Sequence, residues 1–300
     1  MTWRGVMPAT TTAFRTDLSI DHEFVAKHAN WLIDHGCTGI VAPGSLGEGA
    51  TLLHHEKVEL LKTLVSTVGD RVPVVAAVSA LSTAESVQLA KDAESAGCRG
   101  LMVLPPYVYK GTWEEMRSHF GAIFMATGLD CMLYNNPLAY GTDVLPEQVL
   151  QLADRYPNVV SVKESSADIR RVTGIRALCG DRLALFVGVD DLIVEGIAAG
   201  ATGWIAGLVN ALPQESIDLF NFALDGKHEQ ARKLYEWFLP LLRLDTTFDF
   251  VQLIKLVQEE VGMGSARVRP PRLPISGEQL ASVQALIREA LSKRPETVHG

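Results

Sequence analysis

The chain has 300 residues, 47% of them hydrophobic and 21% charged, with a formal net charge of −8 and a pI near 5.5. Such a composition suits a globular enzyme with a large core, and the acidic balance argues against nucleic acid as a partner. Length admits two domains, although α/β barrels reach this size as one. Cys37, Cys98, Cys131 and Cys179 lie far apart with no Cys-x-x-Cys pair. They read as buried small hydrophobes in a reducing compartment, not as disulfides or metal ligands. The opening residues, MTWRGVMPATTTAF, contain no apolar signal core. The most apolar long stretch, residues 183–212, is interrupted by Asp190, Asp191 and Glu195, so no membrane span is expected and the protein is expected in the cytoplasm.

Short β-like runs alternate with amphipathic stretches along the chain. A strand over Gly5–Thr12 precedes a helix over Asp21–His35, and Thr38–Ala42 leads to His54–Val68. Val72–Val78 then leads to Ala84–Ala96, and Gly100–Leu104 to Thr112–Ala126. Asp130–Tyr134, Val159–Lys163, Leu183–Val187 and Thr202–Ile205 complete eight candidate strands. The alternation predicts a parallel sheet, closed or doubly wound. Even spacing, and no helix-opening phosphate loop after the first strand, favour a TIM (β/α)8 barrel.

From Pro213 the strand signal ends, and Ile217–Leu224 reads as the last barrel helix. Glu229–Leu242, Thr247–Val261 and Gly277–Leu291 read as a C-terminal helical extension, joined through Pro270, Pro271 and Pro274. The expected division is a catalytic barrel over residues 1–225 with an extension over residues 226–300 packed on it.

In such a barrel the chemistry sits at the C-terminal strand ends, where the polar and glycine-rich clusters fall. These are Thr10-Thr11-Thr12, Gly44-Ser45-Leu46-Gly47-Glu48-Gly49, Tyr134-Asn135-Asn136-Pro137, Lys163-Glu164-Ser165-Ser166 and Gly188-Val189-Asp190-Asp191. Lys163 ends a β-branched run in which Val159, Ser161 and Lys163 share one face. Burial disfavours a lysine's charged form, so this residue reads as a Schiff-base nucleophile; a strand-end lysine reaching solvent or Glu164 is the alternative. Tyr134 reads as a proton shuttle or a core phenol, and the Ser45 loop as an anion cradle or a turn. Glu48 either braces that loop or acts on substrate. His54 and His55 are adjacent and so do not share a helix face, which argues against a metal site. Lys255 is expected on a helix outside the barrel, snorkelling to water. Arg267, Arg269 and Arg272 form either a solvated loop or a packing element. No phosphate-binding glycine motif is present, and no cofactor is expected.

Gly44-Ser45-Leu46-Gly47-Glu48, Tyr134-Asn135-Asn136-Pro137 and Val162-Lys163-Glu164-Ser165-Ser166 resemble the dihydrodipicolinate synthase / N-acetylneuraminate lyase family, from about Trp3 to the C-terminal helices. The resemblance implies an imine between Lys163 and a small 2-oxo or cyclic imino acid, with Tyr134 relaying protons and Ser45 completing the relay. It also implies carboxylate binding by the Ser45 and Leu46 amides, and a pocket lined by the Gly188 and Ile205 backbone. Asn136, Tyr140 and Ser166 are candidates for contact with a substrate hydroxyl. A homotetramer built from dimers is implied, with the Tyr107–Thr112 loop near a subunit boundary.

Departures from the pattern narrow the choice. Synthases of the family carry a second threonine where this chain has Leu46, and an arginine two residues after the proline where it has Ala139. Their paired loop tyrosines become Tyr107 and Val108, so the relay is broken or rerouted, with Tyr109 a candidate. Tyr134–Gly141, Lys163–Ser166, Gly188–Asp191 and Val268–Pro274 look most like Δ1-pyrroline-4-hydroxy-2-carboxylate deaminases of hydroxyproline breakdown. The other readings are a 2-keto-3-deoxy sugar acid aldolase or dehydratase, a 4-hydroxy-tetrahydrodipicolinate synthase of lysine biosynthesis, and a non-catalytic barrel.

Overall fold

The computed structural model describes residues 2–295. Eight short strands run through it: β1 (Gly5–Pro8), β2 (Ile40–Ala42), β3 (Val74–Val78), β4 (Gly100–Val103), β5 (Asp130–Asn135), β6 (Val159–Glu164), β7 (Ala184–Val187) and β8 (Gly203–Ala206). All pair in parallel in the order β1-β8-β7-β6-β5-β4-β3-β2, and a parallel bridge between Ala9 and Val41 closes the ring. The strands are buried on both faces, as in the all-buried Val-Val-Ala-Ala-Val of β3, because helices cover the outside while side chains fill the inside. The first strand ends at Pro8, four residues before its predicted limit, and Thr10–Thr12 form a polar turn at the barrel mouth.

Helices alternate with the strands: α1 (His22–Asp34), α2 (His54–Val68), α3 (Thr83–Ser95), α4 (Trp113–Phe124), the single turn α5 (Pro137–Tyr140), α6 (Pro146–Arg155), α7 (Arg170–Cys179), α8 (Ile193–Ala198) and α9 (Pro213–Leu224). Their starts follow from capping chemistry, which satisfies the otherwise unpaired first amides. Asp21, Ser82 and Thr112 accept from Phe24 N, Glu85 N and Glu115 N, opening α1, α3 and α4. Beyond α9 lie α10 (His228–Leu242), α11 (Phe250–Glu260) and α12 (Gly277–Ser292), with α10 packed on α9, and α12 on both α10 and α11. No helix among the described residues is long and apolar enough to cross a membrane. Cys37, Cys98 and Cys131 are buried free thiols, whereas Cys179 is only half-buried.

Candidate active site

Lys163 on β6 pairs in register with Tyr134 on β5 and Phe186 on β7. Residues level on neighbouring strands share a face, so the lysine and the phenol project side by side into the mouth. Lys163 Nζ lies 4.2 Å from the Tyr134 ring centroid, and the two residues are only 6% and 5% exposed. Strand alternation turns Glu164 the other way, where it accepts from Asn135 Nδ2 at 3.0 Å and Ser166 N at 2.6 Å. Burial lifts its carboxyl above the usual range. Glu164 is therefore held by its own partners on that other face. Gly188, just after β7, makes room for the lysine stem. A Cβ there would stand 2.4 Å from Lys163 Cε and 2.1 Å from Ser165 Oγ.

The phenols form a connected wall beside the lysine. Asn136 Nδ2 donates to the Tyr134 hydroxyl at 3.0 Å, and its Oδ1 caps α5 by accepting from Ala139 N at 3.0 Å. Tyr134 meets Tyr140 edge to face at 5.8 Å, and Tyr140 lies 5.7 Å from Tyr107. The Tyr140 hydroxyl bonds Ser45 Oγ across the mouth. Burial, reinforced by Tyr134 and Tyr107, pushes the Tyr140 phenol well above its ordinary value, so at neutral pH it remains a proton donor. Burial also raises Tyr107, against the opposing effect of the Ser79 and Ser45 hydroxyls.

Tyr140, read from sequence as a substrate contact, thus has its hydroxyl engaged with Ser45. Within the chain Tyr109 does not join this wall. Tyr109 donates to Glu115 at 2.8 Å on an exposed rim, while Tyr107 turns inward to the phenol wall. Between them Val108 is 89% exposed in a left-handed conformation, φ 71°. Leu46 buries its side chain beside Ser45 in the glycine loop, and Ile205 is buried on β8 opposite Met7.

The glycine loop is held from behind by the extension. Glu48 adopts a left-handed φ of 56° and has no exposed surface. It pairs with Lys255 Nζ at 2.6 Å and accepts from Arg269 N at 2.9 Å. Lys255 does not snorkel to water: it is 2% exposed, lies 4.6 Å from the Phe14 ring centroid and also donates to Arg267 O. Nor are the arginines a solvated loop. Arg267 donates to Phe14 O, Arg269 pairs with Glu56 at 2.8 Å, and Arg272 comes within 3.8 Å of Glu48. Glu48 is a brace of the Ser45 loop. His54 lies outside the site, bonded to Asp92 at 2.7 Å.

Sequence reasoning treated Asp190 only as part of a motif and passed over Asp245. Asp190, fully buried, accepts from Trp204 Nε1 at 2.9 Å, Gly207 N at 3.1 Å and Leu208 N at 2.8 Å. It fastens the loop after β8. Burial raises its pKa to about 6 despite these donors. Asp245, on the one-turn segment Arg243–Thr246 after α10, comes against the same loop.

Tyr134→Phe is expected to lower kcat about 10²- to 10⁴-fold, the usual worth of a positioned proton carrier. Tyr140→Phe is expected to cost less, because it removes a link and not the group over the lysine. Steady-state kinetics on both variants, with trapping of the lysine adduct as a fold control, checks the ranking.

A buried lysine at the end of the sixth strand, a phenol level with it and a hydroxyl-bearing glycine loop define a lysine-dependent Schiff-base barrel enzyme. The chain belongs to the dihydrodipicolinate synthetase family, whose sequence model matches residues 2–290. It is 33% identical to the 4-hydroxy-tetrahydrodipicolinate synthase of Caldicellulosiruptor bescii, over 91% of each chain. Among solved structures it is similar to a dihydrodipicolinate synthase of Bacillus anthracis, with a TM-score of 0.92 at 30% identity over 96% of this chain and 98% of that one. A prophage protein of the dihydrodipicolinic acid synthase family from E. coli K12, solved with pyruvate, superposes with a TM-score of 0.91 at 26% identity over 97% and 99% of the chains.

Proposed function

We propose that this lyase-family enzyme is a deaminase/dehydratase that converts Δ1-pyrroline-4-hydroxy-2-carboxylate to 2,5-dioxopentanoate and ammonia, a step of hydroxyproline breakdown. The observation that carries the reading is the α5 turn. Leu138 and Ala139 are exposed there, where the family resemblance leads one to expect an arginine for a second, anionic substrate. Losing a bidentate carboxylate partner costs on the order of a few kcal/mol of binding. A single cyclic substrate needs no such partner.

The chemistry follows from the residues. The Lys163 amine adds to C2 and opens the ring as an imine that carries the 2-carboxylate toward the Ser45–Leu46 loop. The protonated imine acidifies C3, and Tyr134, over the lysine, takes that proton. The C4 hydroxyl then leaves as water, and the new double bond migrates to C4–C5, forming an enamine with the freed amine. Its tautomer, an imine at C5, hydrolyses to the aldehyde and ammonia, while hydrolysis at C2 returns Lys163. One water is lost and two are taken up, so the net reaction consumes one water and releases one ammonia.

A second reading, 4-hydroxy-tetrahydrodipicolinate synthase, is favoured by the name of curated relatives that are 28–33% identical. It would use the same lysine and phenol. Ammonia release from the pyrroline, measured beside condensation of pyruvate with aspartate semialdehyde, separates the two. Ammonia without condensation is the expected result; condensation without ammonia would replace the first reading by the second.

A further inference from the structure

We propose that Asp245 is a further catalytic residue, the acid that protonates the oxygen leaving C4 of the substrate; this rests on the deaminase reading above. Its side chain enters the mouth from outside the barrel, on the segment between α10 and α11 that packs against Asp190–Leu192. Gly207, just after β8, gives it space: a Cβ at that position would stand 2.1 Å from Asp245 Oδ1. Oδ1 is buried and has no hydrogen-bond partner, although the residue as a whole keeps partial exposure. An unpartnered buried carboxyl oxygen is costly, and each such atom calls for a reason, a ligand or a reaction that uses it among them.

The two acids on this side have distinct states. Asp190 receives N–H donors from Trp204, Gly207 and Leu208, which favour its carboxylate. Asp245 receives none. Burial first, then the charges of Asp190 and Asp191, raise its carboxyl well above the usual range, while the Lys163 ammonium opposes them. Of two neighbouring acids, the one without donors keeps the proton. Asp245 is the protonated member.

Strand order then supplies the direction. The substrate is tethered to β6 through Lys163, and its carboxylate is directed toward the loop after β2, which lies across the ring. Tyr134 stands on β5, to one side of β6, and Asp245 lies against the loop after β8, to the other. Base and acid therefore stand on opposite flanks of β6, a disposition that suits an anti elimination across C3–C4. The C3 proton goes to the phenol side while the C4 oxygen takes the Asp245 proton and departs as water. The resulting carboxylate recovers a proton from water at the open edge of the mouth.

The test is Asp245→Asn, with Asp245→Ala as a second variant, on the 4-hydroxy substrate and its 4-fluoro analogue. Fluoride leaves without protonation. Both variants are expected to lose at least 100-fold in kcat on the hydroxy substrate with little change in KM, and to keep activity within about threefold on the fluoro analogue. Borohydride trapping with pyruvate, and deuterium exchange into the pyruvate methyl, are expected at wild-type levels and show that the fold, Lys163 and Tyr134 are intact. Equal losses on both substrates, or no loss on either, would overturn the assignment. Absence of ammonia from the wild type, with exchange into pyruvate retained, would instead sink the deaminase reading, and this assignment with it.

Discussion

Lys163→Ala is expected to abolish the borohydride-trapped adduct with pyruvate and to lower turnover at least about 10⁴-fold, because it removes the covalent route itself. Lys163→Arg should fare no better. A guanidinium stays charged and cannot form the imine, although it keeps the positive charge against Tyr134. The comparison thus isolates nucleophilicity from electrostatics. Intact mass after trapping reads the adduct, and circular dichroism reads the fold. The alanine variant should remain folded, since Lys163 has the Tyr134 ring at 4.2 Å and acts on Asp190 and Asp245 only through its charge, and is not the partner of Glu164. An adduct that survives in Lys163→Ala would move the nucleophile elsewhere and undo the site as drawn.

Lys255→Met is expected to be strongly destabilising. Glu48 and Lys255 are 0% and 2% exposed and lie 2.6 Å apart. Burial pulls the lysine pKa down and the Glu48 carboxylate holds it up. Removing one partner leaves the other charge buried and short of its counter-ion, at a cost of about 3–5 kcal/mol. The double change Glu48→Leu, Lys255→Met should recover part of that loss in apparent melting temperature but not in activity, because Glu48 also takes Arg269 N and sets the left-handed turn behind Ser45. Thermal unfolding of the single and double variants, with kinetics on each, checks both halves. We propose on this basis that the extension from residue 226 unfolds together with the barrel; its last five positions, 296–300, lie outside the described residues.

The eight strands were legible because each is a short, mostly apolar run spaced evenly between amphipathic stretches. Lys163 stood out because a lysine at the end of such a run conflicts with its surroundings. The Tyr134–Lys163 pairing followed from both lying at the ends of consecutive strands. What escaped was set by distance along the chain. The pairing of Lys255 with Glu48 spans 207 positions, and nothing near Lys255 distinguishes an inward helix face from an outward one. Tyr107 and Tyr109 are two residues apart, and only the left-handed Val108 between them decides which turns inward. Asp245 sits in Arg-Leu-Asp-Thr-Thr, an unremarkable helix-end sequence. Its setting comes from Gly207 and Asp190, which are remote in sequence.

The brace behind the Ser45 loop also bears on how the protein is made. Ser45 emerges early in synthesis, yet Glu48 meets Lys255 and the Arg269 amide only when those late residues have been added. Chains are made and begin to fold from the N-terminus at about 5–20 residues per second. Lys255 follows the end of the last strand, Ala206, by 49 residues, so the strands of the barrel can associate while the anion-binding loop still lacks its counter-charge for roughly 2–10 seconds at that pace. A nascent barrel of this kind has its nucleophile in place before it has a finished substrate cradle, so catalytic competence waits for the helical extension that follows the last strand.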